Sequence, residues 1–269
     1  MKSGRETVLI TGATSGIGRD FADLFAKRGY DLFLASRNRE KMDDIAGQLQ
    51  ARQGAKVTTM AVDLAQPGSA AKVYEETLAG QIEISILVNN AGFGSAGEVA
   101  DMDICNIREM IQLNVTTLTE MCRLFGGNMK KRRTGRILNV ASTAAYQPTP
   151  FIAVYGATKS YVLSFSEALA KEMEDYGVVV TCLSPGPTDT NFFEGVGVEG
   201  LAEKAHGLWA KSRRMPSRKA AEIGLDALFA GKLSVVAGGL NTLTAFANRL
   251  APRKTSASLS KKVMKQATT

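Results

Sequence analysis

Seven short runs rich in apolar and β-branched residues recur along the chain, and the stretches between them have helical periodicity. Phe21, Leu24 and Phe25, for example, lie on one face of a helix. Strands that alternate with helices are typical of a parallel sheet covered by helices on both faces. We therefore predict a doubly wound α/β fold with about seven parallel strands, at residues 7–10, 31–35, 57–62, 84–89, 136–140, 178–183 and 234–237.

Length and composition favour one domain over residues 1–269. Apolar residues make up 45% of the chain, enough for a large core, and no linker or repeat interrupts it. The three cysteines are widely spaced and form no metal-binding or disulfide pattern, so we expect no metal and a reducing, cytoplasmic location. We expect no leader and no membrane span, because no run of eighteen apolar residues occurs.

A glycine-rich turn, Thr11-Gly12-Ala13-Thr14-Ser15-Gly16-Ile17-Gly18, joins the first predicted strand to the first helix. Glycines at such a turn let backbone amides approach a pyrophosphate, and the helix N-terminus adds partial positive charge. By itself, the turn is also compatible with an ordinary tight strand-to-helix connection.

Three residues near the middle of the chain have the chemistry of proton transfer. Tyr155 and Lys159 are four residues apart, so they emerge from the same face of a helix. We expect the lysine ammonium to lower the tyrosine pKa and so tune a general acid/base. Ser142 follows an apolar run thirteen residues before Tyr155, where its hydroxyl can bond to the same substrate oxygen.

These motifs, with Asn89-Asn90-Ala91-Gly92, resemble the pattern of the short-chain dehydrogenase/reductase family over about residues 5 to 240. The resemblance implies a Rossmann-type fold and an oxidoreductase that moves a hydride between a nicotinamide cofactor and a carbonyl/alcohol carbon. It implies that Ser142, Tyr155 and Lys159 are catalytic, with Asn114 holding a water that links the lysine to solvent. A structural hydrogen bond of the Asn114 amide is the alternative.

The resemblance also assigns cofactor contacts along the chain. Asp63 would contact the adenine amino group, although a loop or helix-capping role is equally compatible with its position. Tyr155 and Lys159 would contact the cofactor as well as the substrate. The remaining implied contacts are Gly12, Thr14, Ser15, Gly16, Ile17, Gly18, Leu64, Asn90, Ala91, Gly92, Pro185, Gly186, Thr188 and Thr190.

Arg37 stands just after the second predicted strand, where NAD-preferring relatives place an acidic residue. A guanidinium there can bind a 2′-phosphate, so we predict NADP(H) as the cofactor. A solvated basic loop is the alternative interpretation of this position.

Residues 191–216 depart from the family pattern and contain several large apolar side chains. We predict that they form a substrate lid, which favours a lipophilic carbonyl or alcohol. His206 and Trp209 lie in this segment. For His206 a solvated or packing role outweighs a catalytic one, and for Trp209 a packing role outweighs stacking on the substrate.

The C-terminal segment 249–269 has six basic residues and no acidic one, with Leu259, Val263 and Ala267 at helical spacing. A basic helix of this kind suits an anionic membrane surface, but we rank packing against the domain or a sister subunit above it. The segment lacks the interleaved aromatics of strand-binding surfaces, so we expect no nucleic-acid partner. Related enzymes are dimers or tetramers, which predicts a homodimer or homotetramer.

The function predicted from the sequence is an NADP(H)-dependent oxidoreductase that interconverts a carbonyl and a secondary alcohol on a lipophilic or acyl substrate. Two alternatives remain open. One is a catalytically silent NADP-binding sensor or interaction protein, and the other is a reductase associated with a membrane surface.

Overall fold

The sheet of this protein has seven parallel strands, as the sequence pattern predicts. The structure, a computed structural model, describes residues 4–189 and 214–268. The strand order is β3-β2-β1-β4-β5-β6-β9, all parallel. These strands are β1 Thr7–Thr11, β2 Asp31–Ser36, β3 Val57–Ala61, β4 Ile84–Asn89, β5 Gly135–Val140, β6 Val178–Ser184 and β9 Ser234–Val236.

The strands confirm the predicted fold class, and each predicted strand agrees with the observed one to within a residue at either end. The sequence did not predict a second, very small sheet, in which β7 (Thr188–Asp189) pairs in parallel with β8 (Met215–Pro216). Two-residue strands have no periodicity that a sequence pattern can reveal.

Nine α-helices are present among the described residues. They are α1 Gly16–Lys27, α2 Arg39–Gln53, α3 Ser69–Ala79, α4 Ile104–Ile111, α5 Leu118–Arg132, α6 Ala153–Glu174, α7 Ser217–Phe229, α8 Gly239–Leu250 and α9 Arg253–Thr268. A π-helical turn, Gln112–Thr117, joins α4 to α5, and short 3₁₀ turns occupy Val99–Asp101 and Thr143–Tyr146. None of the described helices has an apolar stretch long enough to cross a bilayer.

Helices cover both faces of the sheet, which explains why the strands are almost continuously apolar. On one face, Phe21 and Phe25 of α1 pack with Leu225 of α7 against alternate strand residues. On the other face, Phe125 of α5 and Val162 of α6 pack against the remaining strand residues. Side chains alternate across each strand, so the five inner strands bury residues on both faces, whereas the edge strands β3 and β9 are only partly buried.

The strand order creates the crevice that positions the site. β1 lies between β2 and β4, so the connections that leave the carboxyl ends of β1 and β4 run to opposite faces of the sheet. Ligands bind at this switch point in open parallel sheets. The predicted lid at 191–216 lies outside the described residues except at its end, where Met215–Pro216 forms β8.

Candidate active site

A cleft of about 560 Å³ opens at the carboxyl edge of the sheet. It brings together predicted residues that are far apart in the chain, from the glycine turn to the segment after β6. The predicted residues that line it are Gly12, Thr14, Ser15, Gly16, Ile17, Arg37, Asp63, Leu64, Asn90, Ala91, Gly92, Ser142, Tyr155, Lys159, Pro185, Gly186 and Thr188. Thr190 lies outside the described residues, as do His206 and Trp209.

The glycine turn has the close packing that its sequence predicts. Gly12 has φ +67° and Gly16 has φ +52°, conformations that L side chains rarely adopt. Gly18 does not line the cleft but packs beneath the turn, since a Cβ there would lie 2.3 Å from the Gly12 carbonyl oxygen. Gly18 therefore allows helix α1 to approach the turn, and its predicted cofactor contact stays a prediction.

The end of β4 holds this turn through a set of hydrogen bonds. The Asn90 side chain donates from Nδ2 to the carbonyl oxygens of Thr11 and Gly12, at 3.0 and 3.1 Å. The Thr11 hydroxyl oxygen in return accepts from the backbone amides of Asn90 and Ala91. These bonds join the two sides of the crevice, so the turn is held open by protein contacts.

Arg37 and Asp63 lie on the side of the cleft formed by the ends of β2 and β3. Arg37 is exposed and follows Ser36, whose hydroxyl lies 3.3 Å from the Thr14 hydroxyl. Asp63 accepts hydrogen bonds from the Ala65 amide and the Gln66 side chain, so its loop-capping role is present while it also lines the cleft. The adenine contact of Asp63 stays a prediction.

Ser142, Tyr155 and Lys159 converge on the opposite side of the cleft. Ser142 follows β5 and begins a 3₁₀ turn, where its hydroxyl accepts from the Ala144 amide at 3.2 Å. Tyr155 is buried in the first turn of α6 and hydrogen-bonds to Ser142. Lys159, one turn further along the helix, is 4% exposed, and its Nζ lies 5.9 Å from the centroid of the Tyr155 ring.

The pKa values of Tyr155 and Lys159 differ from the sequence expectation. Burial raises the pKa of Tyr155 to about 12, and the hydrogen bond with Ser142 only partly opposes it. Burial also lowers the pKa of Lys159 to about 8. The expected lowering of the tyrosine pKa by Lys159 is therefore wrong for this arrangement, because desolvation is the largest cause of the shift in both groups. Tyr155 is a protonated acid at neutral pH.

Asn114 lies in the π-helical turn, behind the cleft wall. Its Nδ2 donates to the Phe93 carbonyl oxygen at 2.9 Å and to the Thr158 hydroxyl at 3.1 Å, and its Oδ1 accepts from the Phe93 amide at 3.2 Å. The buried amide is therefore satisfied by protein groups, as the structural alternative expects. A π-turn inside a helical segment is common at functional sites. The water-relay role of Asn114 stays a prediction.

Gly92 allows these groups to lie close together. A Cβ at Gly92 would be 3.0 Å from Asn114 Oδ1 and 3.3 Å from Lys159 Nζ. The segment after β6 closes the same end of the cleft, where the Thr143 amide donates to the Pro185 carbonyl oxygen and Thr188 Oγ1 donates to the Gly186 carbonyl oxygen. The two strand ends are thereby joined beside the catalytic groups.

Several lining residues were missed by the sequence analysis. Most of them are sequence neighbours of a recognised motif residue, as Phe93 follows Gly92 and Leu113 precedes Asn114. Their position next to a motif residue could therefore have identified them as cleft residues. Others come from helix α4 and have no local signal. The missed residues include Ser36, Val62, Ala65, Phe93, Asn106, Glu109, Leu113, Thr143 and Ile152. No group of acidic, cysteine or histidine side chains among the described residues could hold a metal ion.

Known proteins are similar to this chain in both sequence and fold. The family model of the short chain dehydrogenases matches residues 6–198. A very-long-chain 3-oxoacyl-CoA reductase of Danio rerio is 36% identical over 181 residues, which are 66% of this chain and 56% of the relative. The chain thus spans just over half the length of the curated relatives it matches.

Solved structures match over nearly the whole chain. A short-chain dehydrogenase from Sphingobium yanoikuyae in complex with NADPH has a TM-score of 0.80 and 30% identity, covering 91% of this chain and 93% of its own. A 7beta-hydroxysteroid dehydrogenase has a TM-score of 0.85 and 25% identity, covering 95% and 96%. With the family model matching most of its length and the motif residues gathered in one cleft, the chain belongs to the short-chain dehydrogenase family.

Proposed function

We propose that this protein is an NADP(H)-dependent oxidoreductase that interconverts a carbonyl and a secondary alcohol. The observation that carries the proposal is that Ser142, Tyr155 and Lys159 line the same cleft as the glycine turn. One end of the cleft is thus built for a dinucleotide phosphate and the other for proton transfer.

The lining residues fit a phosphorylated dinucleotide. Gly12 and Gly16 supply a backbone cradle at the N-terminal end of α1, where a side chain would be strained. Arg37 lines the cleft together with Ser36 and Thr14, a donor set suited to a 2′-phosphate. The Sphingobium yanoikuyae enzyme, which shares this fold, is known in complex with NADPH.

The residues of this chain would perform the acid/base half of the reaction. The bound nicotinamide would supply or accept the hydride. In reduction, the hydroxyls of Ser142 and Tyr155 would bind the carbonyl oxygen, and Tyr155 would transfer its proton to that oxygen. Lys159 would bind the cofactor ribose, and Asn114, through its bonds to Phe93 and Thr158, would keep the wall behind the lysine in place. Tyr155 is protonated at neutral pH, so it holds the proton that reduction of a carbonyl requires.

The proposed substrate is a 3-oxoacyl thioester or another lipophilic ketone. Support comes from the relatives, whose names describe very-long-chain 3-oxoacyl-CoA reductases. Phe93, Leu113 and Ile152 give the cleft apolar walls near the catalytic groups. Apolar walls favour an apolar chain beside the reacting carbonyl.

A screen of NADPH consumption tests this function. Purified protein would be incubated with 3-oxoacyl-CoA thioesters of increasing chain length, ketosteroids and simple ketones, with Tyr155→Phe as the matched inactive control. We expect turnover with the thioesters that grows with chain length and disappears in Tyr155→Phe. If NADPH binds but none of these substrates is turned over, the result would instead favour the catalytically silent NADP-binding sensor.

We also propose that the protein works in the cytoplasm as a homodimer or homotetramer. Exposed apolar residues on α4 and α6, Ile104, Ile111 and Tyr161, support an assembly through these helices. Light scattering coupled to size-exclusion chromatography would measure the assembly state, and a monomer at all concentrations would contradict it.

A further inference from the structure

Helix α8 has its apolar stripe on the outside. Leu240, Leu243, Phe246 and Leu250 fall within an arc of about 120° on a helix and are 59–75% exposed. The opposite side, which faces the domain, carries Asn241, Ala245 and Asn248. An amphipathic helix ordinarily buries its apolar stripe, so α8 is reversed relative to the described part of the protein.

Hydrogen bonds hold α8 in this orientation. Asn241 donates to the Ala237 carbonyl oxygen at 2.7 Å, and Asn248 donates to Gln147 Oε1 at 2.7 Å. Ser256 of α9 donates to Asn248 Oδ1 at 2.8 Å, so α9 is attached to the same polar side. The apolar stripe is therefore presented outward by specific contacts.

Helix α9 adds a further exposed apolar side chain. Its Ser256, Ser260 and Met264 are buried, whereas Leu259, Lys261 and Lys262 are exposed. Leu259 and the four stripe residues of α8 are the five most exposed large apolar side chains among the described residues. We call this set, with the exposed cations Arg253, Lys254, Lys261 and Lys262, the C-terminal face.

The net charge of the protein is concentrated in its C-terminal segment. Residues 249–269 contain six basic and no acidic residues, whereas residues 1–248 contain 27 basic and 26 acidic ones. Nearly all of the net charge of +7 therefore belongs to the C-terminal segment. The partner of the C-terminal face must be apolar and negatively charged at once.

We propose that the C-terminal face docks on an anionic lipid surface. Such a surface accepts apolar side chains among its acyl chains and attracts the flanking lysines and arginines through its headgroups. A second copy of the chain would bring two strongly basic segments together, which like-charge repulsion opposes. Nucleic acid offers no site for exposed leucines. The proposal goes beyond the oxidoreductase function and does not depend on it.

Co-sedimentation of the full chain with vesicles tests the proposal. The vesicles would be phosphatidylcholine alone or phosphatidylcholine with phosphatidylserine. Because each basic residue near an anionic surface adds about fivefold in affinity, we expect binding to the anionic vesicles to be at least about tenfold stronger and to weaken with salt. Leu243→Ser/Phe246→Ser and Lys261→Glu/Lys262→Glu should each reduce it by about tenfold or more.

The matched control is Leu78→Ser/Lys72→Glu, which makes the same kinds of change on the exposed surface of α3. It should bind vesicles like the parent, and the melting temperature would show that every variant is folded. The proposal is overturned if the parent does not bind anionic vesicles, or if the α3 variant loses as much vesicle binding as the two C-terminal variants. It is also overturned if Lys261→Glu/Lys262→Glu loses vesicle binding and Leu243→Ser/Phe246→Ser does not. One further result would overturn it. If the parent is an oligomer that does not bind lipid, and Leu243→Ser/Phe246→Ser dissociates that oligomer, then a second copy of the chain is the partner of the C-terminal face.

Discussion

Lys159 Nζ donates a 2.9 Å hydrogen bond to the carbonyl oxygen of Val140, the last residue of β5. The bond ties helix α6 to the strand that leads to Ser142, so it sets the position of all three catalytic groups together. It also holds a cation in a nearly dry environment, since Lys159 is 4% exposed. Burial of the charged lysine therefore lowers the stability of the folded protein, while the same lysine serves the proposed reaction.

We expect Lys159→Met to stabilise the cofactor-free protein at pH 7 while abolishing turnover. Burial lowers the lysine pKa from its ordinary 10.5 to about 8, so the folded state disfavours the charged form. The penalty is complete below pH 8 and disappears as the pH rises from 8 to 10.5. The variant should gain about 1 to 3 kcal/mol at pH 7, and this gain should shrink over that window.

Thermal melts of parent and variant from pH 6 upwards would measure this difference, with the exposed Lys72→Met as control. A variant that is less stable than the parent at pH 7, or a difference that does not change with pH, would show that the lysine is not destabilised by burial.

We expect Tyr155→Phe to lower turnover by ~10² to 10⁴-fold and to leave NADPH affinity nearly unchanged, because only the transferable proton is removed. Steady-state NADPH oxidation and fluorescence titration give the two quantities. Tyr161→Phe is the control, since Tyr161 lies on the same helix but bonds to Thr119 on the protein surface. Activity of Tyr155→Phe within a few-fold of the parent would mean that another group supplies the proton.

NADPH should bind more tightly than NADH, and Arg37→Asp should erase or reverse the preference. A charge-assisted contact with the 2′-phosphate contributes on the order of 1.5 to 3 kcal/mol, or roughly ten- to more than a hundredfold in affinity. Fluorescence titration of both cofactors measures the ratio. The neighbouring Arg39→Asp should leave it unchanged, because Arg39 does not line the cleft. Equal affinities in the parent would place the Arg37 guanidinium in solvent.

Gly18→Ala should lower the free energy of unfolding by about 1 to 3 kcal/mol and weaken NADPH binding. The new Cβ would lie 2.3 Å from the Gly12 carbonyl oxygen and 2.4 Å from Asn90 Nδ2, which pushes the turn out of place. Gly47→Ala in α2 meets nothing within 4 Å and should instead stabilise by roughly 0.5 to 1 kcal/mol. Denaturant melts compare the two, and similar effects at both positions would refute the packing argument.

The fold and most of the site follow from patterns that are local in the sequence. Strand runs, the glycine turn and the spacing of Tyr155 and Lys159 each report the geometry of a few neighbouring residues, and the parallel sheet then gathers the strand ends at one edge. For this reason the sequence alone predicted the seven strands and 17 of the 30 described residues that line the cleft.

The tertiary structure decided what depends on burial and on contacts between distant elements. The direction of the Tyr155 and Lys159 pKa shifts is set by desolvation, which no spacing reveals. Asn114 meets Phe93 and Thr158 only because the π-turn and α6 pack together. The apolar stripe of α8 was not recognised from the sequence, and its outward orientation depends on polar contacts that α8 makes in the folded protein.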